Sequence, residues 1–346
     1  MDYERMIIFR ADGNNDIIGF GHVMRCIHLA KEFSKNGFKS IFIMKNFTEI
    51  VNKVRENNIE VNTIPVDIES NDELNMLKEF FTNNKLNAMI LDKWNLEQEY
   101  LDMIKKETSN LIVVNDYGKL DLRDLFIINV NDNLNYKNEI QTLSCIGLSY
   151  AIISDDLFNY RNTERNVNNK VKTVIISMGG SDPNRLTMKV IEFLNKCEGQ
   201  YKIITILGTG YKCIEDINKI CSKSKHNIDI ESDPKSIGKL FIQGDFAVIS
   251  GGVTKFETAF LGIPSIVLCQ NIDEDMVTRL FEKHKTLINL GVGSNVKFEE
   301  FLRVFSLLTS DFDLRYEMSL NGKRLIDGLG KKRIVERIKK YIGLNE

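Results

Sequence analysis

The feature that most constrains this chain is an alternation kept from end to end. Short runs of β-branched residues are each followed by a longer amphipathic stretch. In the first half, strands are expected at residues 6–10, 40–44, 88–91, 111–114 and 126–130. In the second they are expected at 173–177, 202–207, 227–230, 246–249, 265–268 and 287–290. Helices are expected between them. The clearest is 22–36, with Val23, Ile27 and Ala30 on one face and Gly37 placed to end it. Others are expected at 184–197 and 253–261. Strands this uniformly apolar are covered on both faces, which in a strand–helix alternation means parallel sheets.

At 346 residues the chain has the length of about two domains. A polar, Asn-rich stretch at 159–172 (NYRNTERNVNNKVK) reads as the linker between them. The expected domains are therefore 1–160 and 171–346, the second ending in a charged helical tail at 331–342. Both halves open alike, with an apolar strand, a Gly-containing turn and a helix: MIIFRADGNNDIIGFGH and TVIISMGGSDPNR. The expected fold is α/β, two doubly wound, Rossmann-like halves facing across a cleft. Such halves bind ligands at the carboxyl ends of their strands.

Composition excludes several classes. Lys and Arg number 46 against 48 Asp and Glu, for a formal net charge of −2. This gives no global attraction to nucleic acid or anionic membrane, and neither partner is expected. No apolar run approaches the ~20 residues of a membrane span, and no signal-peptide core is evident. The six cysteines show no CxxC spacing. They are expected as small buried hydrophobes in a reducing, cytoplasmic protein rather than in disulfides or a zinc site. Asp92, Asp116 and Asp132 follow different strands without a His or Cys cluster, so no metal is expected. No cofactor is expected either. GxGxxG fails at Met24, and no Walker sequence is present.

Candidate chemistry lies in three strand-end loops. In the first, Gly19 and Gly21 bring backbone close to a ligand, and His22 opens a helix. The helix dipole favours a neutral imidazole at that end, which suits a general base. Arg10, Asp12 and Arg25 surround it as ligand contacts, or as a set of pairs that holds the loop. His28, His226 and His284 lie off this face or far from a trusted loop. In the second loop, Gly179, Gly180 and Ser181 make an anion nest, or else a plain turn with Asp182 as helix cap. The third, Gly251-Gly252, repeats the device. Glu257 follows in the helix, as a ribose-hydroxyl acceptor or a solvent-facing carboxylate. Asn271, after a later strand, is a ligand contact or ordinary turn chemistry. Two such loops in one half suit a nucleoside diphosphate.

These residues carry a resemblance. FRADGNNDIIGFGHVMRCIHLAKEF resembles the N-terminal signature of the UDP-2,4-diacetamido-2,4,6-trideoxy-β-L-altropyranose hydrolases of pseudaminic acid synthesis and the related spore-coat polysaccharide proteins. The likeness continues through IGLSYAIISDDLF, VIISMGGSDPNRLTMKVI, ISGGVTKFETAFLGIPSIVL and IDGLGKKRIV. It implies a GT-B fold, with UDP held by the Gly179-Gly180-Ser181 and Gly251-Gly252 loops and by Glu257. His22 would activate water for inverting attack at the anomeric carbon, releasing UDP and free sugar without metal. The chain departs from the family at Asp92-Lys93-Trp94, where members carry Asp-His-Tyr. It departs again at Asn271-Ile272, where they carry Asn-Gln, and it has one extra residue before Gly19. A GT-B glycosyltransferase with a UDP-sugar donor is the alternative, and a non-catalytic nucleotide-sugar sensor is the third reading.

Overall fold

The structure is a computed structural model describing residues 5–14, 19–83, 86–116, 120–131, 144–163 and 169–344. Asp132 and residues 164–168 of the expected linker lie outside the described residues. The chain divides into two units. The first comprises Met1–Asn14, Phe20–Ile152 and Leu329–Glu346; the second comprises Asn15–Gly19 and Ile153–Gly328.

The first unit holds β1 (Arg5–Ala11), β2 (Phe38–Lys45), β3 (Glu60–Ile64), β4 (Ala88–Asp92), β5 (Leu111–Val114), β6 (Phe126–Asn129) and β7 (Cys145–Ile146). Its helices are α1 (Gly21–Lys35), α2 (Thr48–Glu56), α3 (Ser70–Asn83) and α4 (Gln98–Glu107). The strands form one parallel sheet in the order β3-β2-β1-β4-β5-β6-β7. Its direction of winding reverses between β1 and β4, where Ala11 pairs with Asp92. One face of the sheet buries Ile8, Met89, Leu91, Val113 and Ile127 against Leu101 and Ile104 of α4.

α1 forms because Val23, Cys26, Ile27, Ala30 and Phe33 recur at helical spacing and are all buried. Gly37, at φ +79°, ends it in the left-handed conformation expected of that glycine. β3 was not among the expected strands. It is an edge strand with an alternating, half-exposed pattern, so it lacks the uniform apolar run that marks its neighbours.

The second unit opens with α5 (Asp155–Phe158) and continues through β8 (Thr173–Ser177), α6 (Leu186–Lys196), β9 (Lys202–Leu207), α7 (Ile214–Cys221), β10 (Asn227–Ser232) and α8 (Ile237–Phe241). β11 (Phe246–Ile249), α9 (Thr254–Leu261), β12 (Ser265–Cys269), α10 (Ile272–Glu282), β13 (Leu287–Val292), α11 (Phe298–Ser310) and α12 (Phe312–Leu325) follow. The sheet is parallel, in the order β10-β9-β8-β11-β12-β13. Its switch point lies between β8 and β11, where Ser177 pairs with Ile249. Val174, Ile176, Phe246, Val248 and Ile266 pack against Leu186, Val190 and Phe301 in its core.

Two expectations about domain organisation differ from what is found. Arg161, inside the expected linker, is fixed to the second unit. Its guanidinium donates to the carbonyls of Phe260, Ile326 and Lys323 at 2.7–2.9 Å and lies over the Phe260 ring. The charged tail, expected with the second half, returns to the first unit as α13 (Gly330–Tyr341). The buried Ile334, Val335 and Ile338 give that helix an apolar face, and α1 lies against it. Arg337 donates to the Ser144 carbonyl, and the Tyr341 ring packs against Phe126.

Candidate active site

Each unit gathers its polar residues at the carboxyl end of its sheet, at the switch point. In the first unit the centre is Asp92, the last residue of β4, fully buried. Its Oδ1 accepts from Nδ1 of His22 at 2.7 Å. Arg25 grips the same carboxylate side-on, through Nε to Oδ2 (2.5 Å) and Nη2 to Oδ1 (2.6 Å). Nη1 of Arg25 reaches Asp116 at 2.7 Å. The pairing with Arg25 and His22 outweighs burial and holds the Asp92 carboxyl well below the usual carboxylate range. An ionised carboxylate can only accept, so Nδ1 of His22 is the nitrogen that donates to Asp92 and Nε2 is the other ring nitrogen, outside that pair; Nη2 of Arg25 also lies 3.0 Å from Nδ1. The first turn of α1 contains no acidic residue of its own. Asp92 supplies the negative charge that a helix N-terminus favours.

Arg10 and Asp12 form a second set, joined to β1. Nη1 of Arg10 lies 2.8 Å from Asp12 and Nε donates to Glu73 at 2.7 Å; the Tyr100 hydroxyl also donates to Glu73. Asp12 accepts from the backbone amide of Lys45 at 2.8 Å. Arg10 is 0% exposed. Of the two sequence readings, loop-holding pairs describe what is seen, although the partners of Arg25 are Asp92 and Asp116 rather than Asp12. Glu73, Asp92, Asp116 and Tyr100 were not singled out for these roles. They lie 27–91 residues from the groups they pair with, and nothing in local spacing announces them.

In the second unit, β8 and β11 end side by side and their loops start together. Ser181 is buried, and Gly179 turns at φ +89° with Ser250 Oγ beside it. The helix expected from 184 starts at Leu186. Asp182 Oδ1 and Oδ2 accept from the amides of Leu186 and Thr187 at 2.8 Å each. Asp182 thus caps α6, as one reading had it, but from four residues before the helix begins. Any anion here must use the preceding loop, because Asp182 already takes the first helical amides. A further loop, after β9, supports this one: Gly210 N donates to Gly180 O at 2.9 Å.

Gly251 is wedged where a Cβ would sit 2.7 Å from both Cys269 Sγ and Thr278 Oγ1. The buried Lys255 donates to its carbonyl at 2.6 Å. Glu257 lies in the first turn of α9. Desolvation, with the nearby Asp156 charge adding to it, pushes its carboxyl up to about 7. Burial also pushes Glu274 up. Asn271 is the N-cap of α10, accepting from Glu274 N at 2.9 Å. Its Oδ1 does turn chemistry. The neighbouring Gln270, which sequence reasoning passed over, bonds to Met178 O, Asp182 and Asn184 and ties β12 to the β8 loop. Among the described residues no group of His, Cys, Asp and Glu is placed to hold a metal. All six cysteines are free, with Cys213 and Cys221 partly exposed and the others buried.

No protein-family model matches the chain. Individual relatives do. The chain is 28% identical over 272 residues to an uncharacterized protein, MJ1062, of Methanocaldococcus jannaschii, covering 75% of this chain but only 54% of that protein. It is 25% identical over 259 residues to the spore coat polysaccharide biosynthesis protein SpsG of Bacillus subtilis, covering 73% of this chain and 76% of that one. It is 24% identical over 274 residues to the UDP-2,4-diacetamido-2,4,6-trideoxy-β-L-altropyranose hydrolase of Campylobacter jejuni, covering 76% and 91%. The resemblance read from the motifs holds. Among solved structures, MurG of Acinetobacter baumannii superposes with a TM-score of 0.69 at 13% identity, over 97% of this chain and 99% of that one. S. aureus MnaA, in a co-structure with UDP, gives 0.64 at 12% identity over 99% and 98%. At such identities the likeness establishes the fold, which is GT-B, as expected. No helix among the described residues is long and apolar enough to cross a membrane.

Proposed function

We propose that this protein is a UDP-sugar enzyme of surface-polysaccharide or sugar biosynthesis, and that its reaction is inverting hydrolysis to UDP and free sugar. The observation that carries the reading is the His22–Asp92 pair, 2.7 Å apart at the switch point of the first sheet. It fixes the ring through Nδ1 and leaves Nε2 as the nitrogen that would take up a proton. In the proposed reaction, water attacks the anomeric carbon as its proton passes to Nε2. The carbon–oxygen bond to the diphosphate breaks, and UDP leaves with the bonding pair. Asp92 holds the ring and stabilises the imidazolium that forms. The proposed diphosphate sites are the Gly179-Gly180-Ser181 and Gly251-Gly252 loops, whose amides offset the charge growing on the leaving group. Glu257 would accept from the ribose hydroxyls. The SpsG and altropyranose hydrolase relatives support the substrate class. For the sugar itself, a diacetamido-trideoxy altropyranose on the way to a nonulosonic acid is proposed on the second of these alone.

The test is a panel of UDP-sugars assayed for UDP formation, with and without acceptors. UDP release in buffer alone is expected, with His22→Ala lowering kcat about 10²–10⁴-fold while UDP affinity is unchanged. UDP release only when an acceptor is added would make the protein a glycosyltransferase instead. Full activity of His22→Ala would end the proposal.

A further inference from the structure

The two glycine loops of the second unit are joined through a residue that belongs to neither. Gln270 follows β12, and its carboxamide fits only one way round. Nε2 donates to Met178 O at 3.1 Å and to Asp182 Oδ1 at 2.9 Å. Oε1 accepts from Nδ2 of Asn184 at 3.1 Å, and the same Nδ2 donates to the Gln270 carbonyl at 2.8 Å. Met178 and Asp182 bracket Gly179-Gly180-Ser181, so a single NH2 group closes that turn from both ends. The turn needs closing. Asp182 has φ +45°, a left-handed backbone that such a residue keeps only where its surroundings impose it.

The main chain of Gln270 reaches the other loop. Its amide donates to Glu274 Oε2 at 2.8 Å, and the Glu274 carboxylate also takes the amide of Gly251. The Gly251 carbonyl is held in turn by Lys255 Nζ at 2.6 Å and by Thr278 Oγ1 at 3.4 Å. With both its polar groups engaged inside the protein, Gly251 anchors its loop, and holding a phosphate falls to the amides that follow it. A chain of hydrogen bonds thus runs from Met178 and Asp182 through Gln270 and Glu274 to Gly251. It adds to the pairing of β8 with β11, which ends at Ser177 and Ile249, before either loop begins. We infer that Gln270 is a positioning residue: with Glu274, it fixes the separation of the two loops so that each holds one phosphate of a diphosphate. Gln270 needs no contact with the ligand itself. The inference deepens the UDP-sugar reading and rests on it.

The experiment compares UDP with UMP, which differ by one phosphate, by calorimetry on the full chain. The wild-type chain is expected to bind UDP the more tightly. Gln270→Met keeps the length of the side chain and removes its donors. It is expected to reduce the ratio of UDP to UMP affinity at least about tenfold. Glu274→Met breaks the link from its other side and is expected to act alike; it carries the test alone should the first variant not fold. Because both changes cut one connection, the double variant is expected to lose no more than the weaker-binding single variant. A ratio unchanged or raised in the folded variants, whether or not the urea midpoint falls, would overturn the inference. So would losses that add in the double variant. Failure of UDP to bind the wild-type chain would overturn the underlying functional reading instead.

Discussion

Glu257 carries its titration into the neutral range because α9 holds the carboxyl out of water beside Asp156. The folded chain binds this proton more tightly than the unfolded chain, whose glutamate titrates near 4.3. Stability is therefore lost as pH rises from about 4.5 through 7. Glu257→Gln should stabilise the protein by up to about 3 kcal/mol at pH 8 and by little near pH 4.5, as read from urea midpoints at the two pH values. Its effect on ligand runs the other way. An ionised carboxylate accepts from both ribose hydroxyls more strongly than the neutral acid or an amide does, so wild-type affinity for UDP should climb relative to the variant as pH passes 7. A parallel pH profile in both proteins would remove Glu257 from the proposed ribose site. Asp92 is the opposite case. Its pKa is depressed, so its contribution is present above about pH 4 and lost as acid protonates it. Asp92→Asn leaves Arg25 short of a charge and His22 without its acceptor. The expected result is a loss of about 3–5 kcal/mol of stability together with a fall in kcat. His22→Ala should reproduce the second effect but not the first.

The elements were legible in the sequence to the extent that they are uniform. Nearly every buried strand falls within two residues of its expected position, because a doubly covered strand must be apolar at every position. β3, exposed along one side, carries no such mark, and β7 is only two residues long. The Gly-rich loops were equally visible, since glycine is needed where backbone crowds backbone. The partners of those loops were not, because contact between strand ends is set by sheet order, which no local pattern records. Gly208 shows the consequence. It follows β9, and a Cβ on it would lie 2.4 Å from the backbone of Gly180 in the β8 loop. Gly208→Ala must push the two loops apart. It is expected to cost about 1–3 kcal/mol and to weaken UDP binding at least tenfold, by calorimetry, while leaving the His22 surroundings intact. Unchanged UDP affinity in a folded Gly208→Ala protein would argue against the β8 loop as the diphosphate site.

At the scale of the whole chain, the informative feature is that the C-terminal residues leave the second unit and finish the first. Sequence reasoning assigned the tail by adjacency, as a continuation of the half it follows. The charged run at 331–342 hid its other face, where Ile334, Val335 and Ile338 are almost completely buried. Gly330 packs so closely that a Cβ there would lie 2.2 Å from the Ala151 carbonyl oxygen. Arg333 and Arg337 donate to the carbonyls of Ser149 and Ser144, and α13 lies against α1, the helix that opens with His22. Burying three aliphatic side chains is worth roughly 5 kcal/mol, a large share of the stability of an ordinary domain. A chain ending at Gly328 is therefore expected to retain the affinity of its second unit for UDP and to lose turnover, because the helix holding His22 loses its support. Ile338→Ala, a gentler lesion expected to cost about 2–5 kcal/mol, should lower the urea midpoint for loss of activity more than that for loss of UDP binding. If the two midpoints fell together, the tail would be stabilising the chain as one cooperative body, and its assignment to the first unit would have no functional meaning.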